Sequence, residues 1–106
     1  MRPLGGAVER LLRTLGLSDE LAEAAAMRRW SEAAVGVLGS DASLTRAVAV
    51  ERHTLIVAVP DAQWGAEIRL RERDLLRALE TLAPRCGILR VRPVPARSAG
   101  IRETSR

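Results

Sequence analysis

Between Leu44 and Val59 the apolar residues recur at every second position, whereas before and after that stretch they recur every three or four. A period of two belongs to a half-buried strand and a period of 3.6 to an amphipathic helix, so a chain that switches from one to the other and back combines a small sheet with helices. Leu44, Arg46, Val48 and Val50 share one face of a first strand, Leu55, Val57 and Val59 share one face of a second, and Glu51-Arg52-His53 forms the turn between them. Pro60 has no N–H to give a ladder and ends the hairpin, while Asp61 is placed to cap a helix that begins at Ala62.

The flanking segments fill in the order of elements. Leu4, Val8, Leu11, Leu12 and Leu15 form the stripe of a short first helix that Gly16 stops. Ser18 then caps a second helix, with Asp19 and Glu20 complementing its positive end, and this helix runs to about Leu38 with Met27, Trp30, Ala34 and Val37 on one face. Gly39 to Ser43 breaks it. Along the third helix Trp64, Ile68, Leu75, Leu79 and Leu82 lie on one side, which gives Trp64 a structural part, clamping the helix start onto the sheet beside the Asp61 cap. Ala83-Pro84 ends that helix, and Cys86 to Val94 reads as a third strand with Leu89 and Val91 facing one way and Ile88, Arg90 and Arg92 the other. The order is helix, helix, strand, strand, helix, strand. A strand-helix-strand crossover lays its strands parallel while a hairpin is antiparallel, so the expectation is an α+β fold of KH-like type: a small mixed three-stranded sheet with helices packed on one face. Residues 1–94 are read as one such domain and residues 95–106 as a short basic flexible tail.

A length of 106 residues, 47% of them apolar and 28% charged, suits one globular domain with a modest core. No apolar run is long enough to cross a bilayer, and Glu9 and Arg10 fall where a signal peptide needs an apolar stretch, so a cytoplasmic location without membrane contact is expected. Cys86 is the only cysteine and is read as a small buried hydrophobe. The net charge of +4 suggests a polyanionic partner, yet all 17 basic residues are Arg, and Lys, Asn, Phe and Tyr are absent. Those four residues share A/T-rich codons, so a GC-rich genome accounts for the bias and only the placement of the arginines bears on function.

Trp30 followed by Val35-Gly36, the run Thr54 to Trp64, the run Leu75 to Leu79 and the closing Leu89 to Pro93 together resemble the DciA family of bacterial replicative-helicase loaders, over roughly residues 5 to 94. The resemblance implies a non-enzymatic, KH-like adaptor that binds the replicative DNA helicase and touches single-stranded DNA to assist helicase loading in DNA replication. A KH-like RNA-binding or ribosome-associated module is the alternative.

Arg69, Arg73 and Arg77 form an i, i+4, i+8 row whose mutual repulsion a phosphate backbone would relieve, and Arg90 and Arg92 extend that basic surface. Arg28, Arg29 and Trp30 are the candidate partner-docking residues, because aromatic and Arg side chains dominate interface hot spots. Gly36-Val37-Leu38-Gly39 fits a GxxG string, but Gly39 is more simply a helix terminator. His53 is read as an exposed turn residue with no second ligand for a metal. Asp19, Glu20 and Asp61 are accounted for by capping, and no catalytic grouping, cofactor motif, small-molecule site or phosphate-cradling GxxxxGK[ST] loop is found.

Overall fold

The computed structural model describes residues 7–8, 10–11 and 17–97. The four described residues before position 12 are helical, and the rest of the expected first helix, like positions 98–106 of the expected tail, lies outside the described residues. Helix α1 (Leu17–Leu38) is followed by a 3-10 helix (Ser40–Leu44), strands β1 (Arg46–Glu51) and β2 (Thr54–Val59), helices α2 (Ala62–Leu70) and α3 (Glu72–Leu82), and strand β3 (Arg90–Pro95). The fold is α+β. Its sheet is mixed, with order β1-β2-β3, β1 antiparallel and β3 parallel to the central β2.

Alternation along β2 sets the layers. Leu55, Val57 and Val59 join Val91 of β3, Trp30, Ala33 and Ala34 of α1, Ile68 of α2, and Leu75 and Leu79 of α3 in one core, so all three helices cover the same side of the sheet. Small residues at 26, 33 and 34 of α1 are fully buried, which lets that helix approach closely enough to pack on α3 and β1. On the opposite face Ile56 and Ala58 remain buried because their register partners Ala49 and Arg46 on one side, and Arg92 and Val94 on the other, flank them.

Several local expectations need correction. The strand does not begin at Leu44, which closes the 3-10 helix and is 64% exposed. A β-bulge between Ala47 and Ala49 then shifts the register. Ala47 and Val50, rather than Arg46, Val48 and Val50, therefore pack toward the core. The hairpin turn is Arg52-His53, both in the left-handed region (φ 50° and 64°), the geometry of a primed two-residue turn. His53 is exposed there.

The long third helix divides at Arg71, whose φ of −105° and ψ of 21° separate α2 from α3. Asp61 caps α2, its Oδ1 accepting from the Trp64 N–H at 3.0 Å. α1 begins at Leu17, so Ser18 falls inside its first turn, and it ends where Gly39 turns to φ 102°. After α3, Gly87 (φ 73°) redirects the chain before the strand starts. Ile88 is therefore buried with Cys86 while Leu89 is 65% exposed, the reverse of the alternation expected from residue 86 onward.

Candidate nucleic-acid interface

Alternation in β3 sends Val91 into the core and leaves Arg90 and Arg92 exposed. The parallel register sets Arg90 beside Thr54 and Arg92 beside Ile56. Because Thr54 comes directly after the hairpin turn, this pairing also brings Arg52 toward β3, and α2, packed on β3, delivers Arg69 from its last turn. The four arginines line one open groove of about 900 Å³, floored by Thr54, Ile56, Val91 and Pro93. Glu51 and Glu72 are its two acidic residues, so four guanidinium groups face two carboxylates and the groove carries excess positive charge.

Among the described residues, only one of the four cations is tied down. The Arg90 Nε donates to Glu72 Oε2 at 3.1 Å, and the same oxygen accepts from the Val91 N–H at 2.8 Å. Glu72 belongs to the first turn of α3, where a carboxylate is favoured by the helix dipole, so a single side chain both suits its own helix and straps that helix to β3. Arg52, Arg69 and Arg92 form no ion pair among the described residues.

The free edge of β3 is closed in a particular way. Arg90 and Ala96 donate their N–H groups toward β2, to His53 O (3.3 Å) and Val59 O (3.1 Å). Directions alternate along a strand, so the N–H groups of positions 91, 93 and 95 belong to the outer edge. Val91 uses its own on Glu72, and Pro93 and Pro95 have none.

The break at Arg71 dissolves the expected row of arginines. Arg69, in the last turn of α2, enters the groove, whereas Arg73 and Arg77 stand on α3 and do not line it; Arg77 lies 3.6 Å from Asp74, which also pairs with Arg71 at 3.2 Å. The tryptophans also depart from expectation. Trp30 is 1% exposed and its indole N–H donates to Thr45 Oγ1 at 2.9 Å, so it is a core residue with no surface to offer a partner. Arg28 next to it is exposed, and Arg29 is half-buried and paired with Glu32 at 2.9 Å. Trp64 is only partly buried: it packs on the core from one side and, with Leu38, Gln63 and Glu67, lines a shallow recess of about 280 Å³ on the other.

Sequence reasoning missed Arg52 and Glu72. No spacing signal joins positions 52, 69, 72 and 90; only the parallel β2–β3 pairing and the packing of α2 and α3 on β3 bring them together.

A family model described as Dna[CI] antecedent, DciA, matches residues 3–92. The chain belongs to the DciA family. The match takes in α1, the hairpin, α2, α3 and the start of β3, and therefore Arg52, Arg69, Glu72, Arg90 and Arg92 of the groove. Membership of the DciA family carries a role in helicase loading during DNA replication. The chain matches no curated protein. No helix among the described residues of this DciA protein is long and apolar enough to cross a membrane.

Proposed function

We propose that the protein is a non-enzymatic, cytoplasmic adaptor that binds the bacterial replicative DNA helicase and single-stranded DNA to assist helicase loading, and that its fold is of KH-like type. The observation that carries the DNA half of this reading is the groove in which Arg52, Arg69 and Arg92 stand without ion-pair partners among the described residues, beside Arg90. A polyanion supplies what those groups lack, and phosphate contacts are sequence-tolerant. With Trp30 buried, Trp64 outside the groove and no Phe or Tyr in the chain, bases have no aromatic platform there, so binding is weak and carried by phosphates.

Helicase docking is assigned to the exposed side of α1 at Arg28 and Arg29, with Trp30 beneath them holding the helix in place and not touching the partner. Binding energy at such a surface assists loading only if it favours the loading-competent state of the helicase over the other.

Two measurements test the reading. In gel filtration or calorimetry with the helicase of the same organism, a complex is expected at or below roughly 10 μM. Reversing Arg28 and Arg29 to Glu should weaken it. Fluorescence anisotropy with a short oligothymidylate at rising salt should show affinity that falls with a log-log slope of about 0.7 per phosphate engaged. Absence of a helicase complex together with co-purification of ribosomes would replace this reading by the RNA-binding one.

A further inference from the structure

Glu72 occupies a position that has the chemistry of an anion site. Its Oε2 accepts from a guanidinium Nε and from a backbone N–H at once, at 3.1 and 2.8 Å, inside a groove whose other cations have no ion-pair partner among the described residues. A guanidinium and a main-chain amide converging on one oxygen are the donors that a phosphate takes from proteins. The Glu72 side chain keeps a quarter of its surface exposed, so it can leave that position without opening the core.

We propose that Arg90 and the Val91 N–H form a phosphate site for single-stranded DNA that the carboxylate of Glu72 fills in the unbound protein, so that Glu72 sets the affinity of the groove by competing with the strand. This rests on the reading of the groove as a DNA surface and adds to it a named contact and a limit. In the bound state one backbone phosphate accepts from Arg90 and Val91, Arg92 and Arg69 hold its neighbours, and Glu72 turns to solvent. The exchange is of one anion for another. The Val91 amide stays satisfied in both states, which is what keeps the edge of β3 closed while the ligand changes.

The test is Glu72→Gln. Glutamine retains an oxygen that accepts from the Val91 N–H, so the strap of α3 to β3 survives while the competing charge is removed. The variant should melt like the parent and bind oligothymidylate about 3- to 10-fold more tightly, with a salt slope close to the parent's because the same phosphates are engaged in both. In the parent, the amide resonance of Val91 should move on saturation with oligothymidylate. A folded Glu72→Gln variant with unchanged affinity overturns the proposal, provided that Arg69→Gln and Arg92→Gln weaken the parent, in which case the groove still binds DNA and Glu72 is only a strap. If those arginine variants also change nothing, the reading of the groove fails and the phosphate site with it. Titration with inorganic phosphate separates the two sources of the group: a Val91 response to phosphate ion with none to oligothymidylate overturns the assignment to a strand.

Discussion

A buried indole needs an acceptor for its N–H, and Trp30 finds one in the Thr45 hydroxyl, which donates in turn to the Ala42 carbonyl at 2.6 Å. The short relay ties the middle of α1 to the 3-10 helix. Thr45→Val leaves the indole N–H unpaired in the core and should lower stability by about 1–3 kcal/mol in urea denaturation. Trp30→Ala should lower it by about 3–5 kcal/mol, and Trp64→Ala by clearly less, since Trp64 keeps one side in solvent. Equal losses for the two tryptophans would contradict the division of roles between them. Their order was not legible in the sequence, where both sit at helical spacing within apolar stripes. What decides it is Thr45, fifteen residues from Trp30 and brought back by the 3-10 helix. Arg52 and His53 are a second residue-scale case. Each holds a left-handed backbone without being Gly or Asn, at a penalty of about 1 kcal/mol or more apiece. Arg52→Asn with His53→Gly should therefore raise the melting temperature while weakening oligothymidylate binding, because the stabilised turn lacks a groove cation.

At the scale of elements, the periodicity of the sequence located the three strands and the α-helical stretches to within a few residues, with α2 and α3 read as one helix and the 3-10 helix as a break, since burial on one face imposes its period on whichever residues face the core. It failed where a single residue interrupts the period. The bulge at Ala47–Ala49 and the break at Arg71 have no Gly or Pro to mark them, and each rotates the residues beyond it. The break moves the basic surface from a helix row to the β3 side of the molecule. Changing Arg69 and Arg92 to Gln should then lower oligothymidylate affinity and flatten its salt slope, while the same change at Arg73 and Arg77 should leave the slope nearly as it was. Gly36 gives an independent check on α1. A Cβ there meets nothing within 4 Å, so Gly36→Ala should stabilise the protein by about 0.5–1 kcal/mol in thermal melting. Unchanged DNA binding in that variant would also dispose of the GxxG string as a nucleic-acid clamp.

For the whole molecule, the edge of β3 bears on what the chain does among its own copies. Thr54–Val59 reads TLIVAV, six uncharged residues of high strand propensity, and the parallel neighbour that covers them arrives only after two helices have been made. Until then the central strand is a template on which another chain could lay its own, and non-local parallel pairing is slow to form. β3 closes the template and offers no outward N–H at positions 91, 93 or 95 for a further strand. It behaves as a chain terminator behaves in polymerisation: the sheet accepts one addition and then cannot propagate on that side. Replacing Pro93 and Pro95 by Thr should restore a propagating end, seen as concentration-dependent light scattering during refolding that the parent lacks, and it links the two prolines to solubility at the protein concentrations reached during synthesis.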